Sequence, residues 1–277
     1  INWPFTRAEG SVDVIAGKQL YSFASISSTL KYIDYDNVFL MPKDYITNGD
    51  FEISGSASIT NWATVSGSPA ASSKFGNTLL LTSAKSSQEV EDLIVGKSYV
   101  ILIQTSGATL TLDVGTSSGG TQTKTTTLTI ASGNEVLLSE VTFTATATTH
   151  YVTFTESAGA TAYVKLVQLA ENITPIGLKY ISYEEYSERY RERDSRPDTD
   201  KFSDPEFIYT TYNDEIGLSP IPDTSNRTIK FDYYTSNVDL SAHGDTSIIP
   251  TRFESVINAR AKYYTYMFRS DVQTAQY

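Results

Sequence analysis

The sequence predicts an α+β, β-rich fold, a mixed core with flanking helices into which a β-sandwich is inserted. Three observations point there. Residues 45–171 are dominated by Ser, Thr, Ala and Gly, with apolar residues at alternating positions. The flanking segments, 1–44 and 172–277, mix strand patterns with two helical ones. A six-residue echo, Leu30-Lys31-Tyr32-Ile33-Asp34-Tyr35 against Leu178-Lys179-Tyr180-Ile181-Ser182-Tyr183, brackets the Ser/Thr-rich stretch, as two edges of one host domain would. Insertion at a hairpin tip is cheap, because loop-closure entropy grows slowly with loop length.

In the first segment, 11–15 and 18–23 alternate as short strands around an Ala16-Gly17 turn, and 30–40 reads as a third strand that Pro42 and Asp44 end. In the second, strand patterns recur at 100–103, 110–114, 127–130, 141–143, 151–154 and 163–169. Turns at Ser118-Gly119-Gly120, Ser132-Gly133-Asn134 and Ser157-Ala158-Gly159 separate some of them. Many short strands without helical periods make a sandwich. A mucin-like stalk shares the Ser/Thr richness but would be rich in proline, which is scarce here.

In the third segment, 183–193 carries helix-forming charges with Tyr183, Tyr186 and Tyr190 on one face. Ser182 followed by Glu185 is a capping box. Strands at 207–212 and 215–219 join through Asn213-Asp214, and 228–234 is a further strand. A closing helix begins near Phe253. Thr251 is its candidate cap, Phe253, Val256, Ile257, Arg260 and Tyr264 form its stripe, and Tyr263 and Met267 border it.

The 277 residues carry 21 basic and 32 acidic side chains, a net charge of −11. That argues against a protein that coats nucleic acid, although a local basic ring stays compatible. The absence of cysteine excludes disulfides, thiolate zinc sites and cysteine nucleophiles. No apolar run approaches about 18 residues, so no membrane-spanning helix is expected. A chain that opens at Ile1 without a Met or a charged-then-apolar leader is expected to be trimmed or processed. No P-loop, Rossmann fingerprint or metalloprotease helix occurs. His150 and His243 lack a companion serine or carboxylate motif, and Asp34, Asp36 and Asp44 form no recognisable glycosidase pair. No enzyme activity is expected.

With the insertion set aside, the order of the outer segments resembles a known family. It runs Trp3-Pro4-Phe5, Gly17-Lys18-Gln19-Leu20-Tyr21, Val38-Phe39-Leu40, then 178–186. Pro205-Glu206-Phe207-Ile208-Tyr209, residues 216–223, Tyr233-Tyr234 and the closing helix follow. This is similar to the head-to-tail adaptors of tailed bacteriophages, the tail tubular protein A-like class. The resemblance implies a structural virion protein in the neck, assembled in the host cytoplasm. It implies a ring of typically twelve copies between the portal protein and the tail tube or nozzle protein. The helical part would face the portal and the β-rich part the next tail ring, with genomic DNA passing through the lumen without specific binding. The chain departs from the family pattern in lacking helices before Trp3, in a last helix expected to be cut short at Tyr277, and in the long insertion.

The insertion resembles the jelly roll of carbohydrate-binding modules, through Asn48-Gly49-Asp50-Phe51-Glu52 with Asn61-Trp62, a hairpin-like 90–99, and closing strands at 141–145 and 162–167. It is expected to project outward, since a dozen copies inside a lumen would close it. It could meet tail fibres or surface glycans, or stiffen the collar.

For each candidate site a plainer reading stands beside the functional one. Asp50 and Glu52 fit a structural Ca²⁺, which needs hard oxygen ligands, or are solvated carboxylates at a strand start. Trp62, Phe75 and Tyr99 could stack on sugars or fill the core. The charge run 188–192 is a subunit salt-bridge surface or a solvated helix face. Arg252, Arg260, Lys262 and Arg269 are expected to contact the portal or a neighbouring subunit rather than DNA, whose sliding a tight basic patch would impede. The alternative to the adaptor is a carbohydrate-binding module of a secreted or surface protein, and a glycan-active enzyme is third.

Overall fold

The structure is a computed structural model that describes residues 6–52, 59–130, 136–195, 204–235 and 253–268. The chain opens with β1 (Arg7–Asp13), β2 (Leu20–Ser22), the one-turn helix α1 (Phe23–Ile26) and β3 (Leu30–Pro42). Ten strands follow: β4 (Ala63–Ser66), β5 (Ala70–Ser72), β6 (Thr78–Leu81), β7 (Lys85–Val90), β8 (Ser98–Gly107), β9 (Leu110–Gly115), β10 (Lys124–Leu128), β11 (Leu137–Thr144), β12 (His150–Thr155) and β13 (Ala162–Glu171). Then come β14 (Ile176–Gly177), β15 (Lys179–Tyr180), α2 (Tyr183–Arg189), α3 (Arg191–Asp194), β16 (Phe207–Thr210), β17 (Glu215–Ser219), β18 (Arg227–Thr235) and α4 (Glu254–Phe268).

Two compact units result, Ile1–Leu40 with Ile176–Tyr277, and Met41–Pro175. Where the chain leaves and re-enters the outer unit, Leu40 lies opposite Ile176, and Phe39 opposite Gly177, in the β3–β14 pair. Residues 41–44 go with the sandwich, where the Asp44 carboxylate accepts the backbone N–H groups of Ile46 and Leu169.

The outer unit has two four-stranded sheets, β1-β18-β3-β14 and β15-β16-β17-β2. Inward residues of both sheets make one core, with Val38 and Leu40 of β3, Ile229 and Phe231 of β18, Ile208 of β16 and Ile216 and Leu218 of β17. The Asn213-Asp214 turn joins β16 to β17 as expected, with Asp214 left-handed at φ 55°. The two copies of the echo adopt different structures. One lies in β3, whereas the other runs through β15 into α2.

The capping box forms. Ser182 Oγ accepts the Glu185 N–H at 3.1 Å. Tyr186 is buried and stacks on Tyr209 of β16, with centroids 3.9 Å apart, and this fixes α2 on the sheet. The expected single helix breaks at Tyr190, and α3 turns its Asp194 inward. That buried carboxylate accepts from Ser219 Oγ at 2.8 Å and Arg193 Nε at 3.0 Å. Glu188, Arg189, Arg191 and Glu192 are exposed, and Arg189 pairs with Glu185 along the helix, as either a solvated face or a subunit surface would have it.

The inserted unit is a sandwich of two five-stranded sheets, β10-β9-β12-β7-β4 and β11-β8-β13-β6-β5, whose paired strands are antiparallel. Leu110, Leu112 and Val114 of one sheet meet Ile101, Ile103 and Val167 of the other in one core. The stretch 90–99 is not a hairpin. It carries the chain from β7 in one sheet to β8 in the other, tied down by Leu93 N–H to Thr148 O and Gly96 N–H to Ala145 O. No helix among the described residues is long and apolar enough to cross a membrane.

Candidate functional site

Arg260 and Lys262 lie on α4, both exposed. Two residues apart, they point to different sides of the helix and do not form one patch. Arg260 sits over the rings of Tyr263 and Tyr264, at 5.2 and 4.6 Å from their centroids, and donates to Tyr264 Oη at 2.7 Å. Arg252, Arg269 and the Thr251 cap lie outside the described residues, as do Trp3-Pro4-Phe5, the Ser132-Gly133-Asn134 turn and His243. Among the described residues the stripe of α4 is not covered. Val256 is 64 % exposed and Tyr264 56 %, with Ile257, Met267 and Phe268 also exposed. In a helix of the core these side chains would be buried, so α4 offers an apolar, aromatic and basic surface outward.

In the sandwich, two of the three proposed sugar-stacking aromatics belong to the core. Tyr99 is fully buried, stacked on Phe143, with its hydroxyl accepting the Ile94 N–H at 2.8 Å. Burial raises the Tyr99 pKa, so the phenol stays neutral. Trp62 packs its ring against Phe51 and Phe154 and donates Nε1–H to Asn48 O. Its placement follows from the need to satisfy an indole N–H once the ring is buried. Phe75 is half-buried, edge-on to Tyr163, with Lys74 over both rings.

Asn48 organises the 48–52 turn. Its Oδ1 accepts the Glu52 N–H at 2.7 Å, and its Nδ2 donates to the Thr60 carbonyl. Asp50 and Glu52 are exposed, and among the described residues no three His, Cys, Asp or Glu side chains gather.

His150 is buried, and desolvation lowers its pKa, as expected of a neutral core imidazole. Asp34 pairs with Arg7 at 3.5 Å and accepts the Asp36 N–H, whereas the Asp44 carboxylate accepts backbone N–H groups.

Sequence reasoning missed Tyr151. It stands on the outward side of β12, with Oη donating to Glu89 Oε1 at 2.7 Å, and this bond raises its pKa. The signal was its parity: Val152 and Phe154 point inward, so Tyr151 points out.

A family model, SU10 adaptor protein, matches residues 123–277. The match covers more than half of the chain. This chain belongs to the SU10 adaptor protein family. The SU10 adaptor match starts inside the sandwich, just before β10, and runs through the returning half of the outer unit. No curated protein matches the chain.

Among solved structures, the SU10 adaptor-family chain is similar to the enzymatically active domain of tailspike protein 4 of bacteriophage CBA120. That likeness has 14 % identity and a TM-score of 0.36, over 46 % of this chain and 21 % of that one. The carbohydrate-binding module TmCBM61 in complex with β-1,4-galactotriose is 17 % identical, over 47 % of this chain and 99 % of that one, with a TM-score of 0.36. A Family 16 Carbohydrate Binding Module-2 is 14 % identical, over 46 % and 99 %, with a TM-score of 0.35.

Proposed function

We propose that this chain is a structural, non-enzymatic subunit of the phage neck. Copies associate head-to-tail into a closed ring, of about twelve as the family resemblance implies, between the portal protein and the tail tube or nozzle protein. The observation that carries this reading is the SU10 adaptor match over 123–277. The exposed stripe of α4 supports it, because Val256, Ile257, Tyr264 and Met267 are the kind of side chains a neighbouring protein covers. Arg260 and Lys262 then contact the portal or the next subunit. Genomic DNA passes through the lumen without specific binding, in keeping with a net charge of −11. The sandwich stands outside the ring, where it is free to meet tail fibres or surface glycans. Assembly takes place in the host cytoplasm and the product resides in the virion neck.

The test is native mass spectrometry of the chain alone and mixed with its portal. A closed oligomer in either sample supports the proposal. A monomer in both, with no portal complex, contradicts it. Val256→Glu together with Tyr264→Glu on α4 is expected to abolish assembly while leaving the circular dichroism of the sandwich unchanged.

A further inference from the structure

We propose that the outward face of the sheet β10-β9-β12-β7-β4 holds a neutral glycan chain, in a cleft between the Tyr151 ring and the 116–123 loop. The inference rests on the reading above that the sandwich meets surface glycans, and it is independent of ring formation.

Each strand of this sheet sends alternate side chains to the core, and the rest face outward. The outward series is Lys85, Ser87 and Glu89 on β7, Tyr151, Thr153 and Thr155 on β12, and Thr111, Asp113 and Gly115 on β9. The register lines them up in rows. Ser87, Thr153 and Asp113 form one row, Glu89, Tyr151 and Gly115 the next, and Lys85, Thr155 and Thr111 a third.

An outward row is normally solvated, yet Ser87, Thr153 and Asp113 are all less than 5 % exposed. The 116–123 loop explains the burial. Gly120 and Gln122 lie against Gly115, leaving no space for a Cβ there, and Gly119 O accepts from Lys85 Nζ at 2.8 Å. From Gly115 on β9 to Lys85 on β7, the loop runs diagonally across the middle row.

Beside it remains a cleft of about 380 Å³, lined by Asn61, Ser87, Glu89, Ser118, Tyr151 and the edge of Trp62. That volume falls within the usual range of small-molecule sites, about 300–1,000 Å³.

The lining selects the ligand. Tyr151 supplies an aromatic face that its bond to Glu89 holds in place. Asn61, Ser87 and Ser118 supply amide and hydroxyl groups that both donate and accept. The lysine at the margin of this face, Lys85, is committed to the loop carbonyl. A phosphate or nucleic-acid strand therefore meets carboxylates and no free cation in the lining. A wholly apolar ligand would strand the polar floor. A neutral sugar chain matches both features, with C–H faces for the tyrosine ring and hydroxyl groups for the amide, hydroxyl and carboxylate positions.

The experiment is affinity electrophoresis of the full chain through gels containing β-glucan, galactan, xylan or mannan, with a lysine-rich peptide as competitor. Retardation by at least one polysaccharide is expected. It should weaken at least about tenfold in Tyr151→Ala, and equally in Ser118→Trp, which fills the cleft from an exposed position. Tyr163→Ala, on the other sheet, should keep full retardation. No retardation in any gel, retardation unchanged in both cleft variants, or displacement by the lysine-rich peptide would each overturn the proposal.

Discussion

The Tyr209 ring lies flat over Gly217, its cross-strand partner in β17, and Tyr186 of α2 stacks on the ring's other side. Any Cβ at Gly217 would occupy the space of the Tyr209 ring. Gly217→Ala is therefore expected to destabilise the outer unit by about 1–3 kcal/mol, the usual cost of overpacking, and to loosen α2. Urea denaturation followed by far-ultraviolet circular dichroism measures it. An unchanged midpoint would mean that the ring does not rest on the glycine.

Ser182 caps α2 through the Glu185 N–H. Ser182→Ala should cost about 1 kcal/mol, and Ser182→Asp should restore most of it, since aspartate caps as well. A loss shared equally by both variants would argue against the cap.

Trp62 and Tyr151 separate core from surface on the same sandwich. Trp62→Ala removes a ring packed on Phe51 and Phe154 and is expected to cost about 3–5 kcal/mol. Tyr151 is only partly buried and bonds to an exposed carboxylate, so Tyr151→Ala should cost far less. Comparing the two melting temperatures checks the assignment, and reversed magnitudes would contradict it.

Glu156 gives the sandwich an acid-sensitive point. Burial pushes its carboxyl pKa up, but the backbone N–H groups of Ser83, Ala158, Ala160 and Gly159 outweigh that and hold it below the ordinary 4.5. A depressed folded pKa contributes stability in full above the ordinary value, and that stability is lost as pH falls through the folded one. The sandwich should hold its melting temperature down to about pH 4.5 and lose it below. Glu156→Gln should flatten that acid limb and lower stability at neutral pH, because its amide nitrogen would face an N–H donor. A variant with the same acid limb would assign it to other groups.

The alternating strands were legible because β8, β9, β12 and β13 place apolar residues on the core side. The stretch from 63 to 90 was not. In β7 the core-side positions include Ser86 and Gln88, and Gln88 is satisfied by bonds to the Thr47 backbone and Asn61 O. A polar residue satisfied in this way hides the strand from a hydrophobic pattern. β4 is exposed along its length and carries no such pattern either. Residue type left the aromatics open between sugar and core, and parity sorts them. Tyr99 shares the parity of Ile101 and Ile103, which are buried, whereas Tyr151 opposes that of Val152 and Phe154. The α4 stripe was visible in the sequence, but its exposure was not, since one chain does not encode whether a helix meets its own core or another molecule.

The most direct test of the account is electron cryomicroscopy of intact virions carrying this chain. A ring of about twelve copies at the head–tail junction, with the sandwich outside the DNA channel, is the predicted result. Virions in which the chain sits elsewhere, or a neck that assembles normally without it, would contradict the adaptor role.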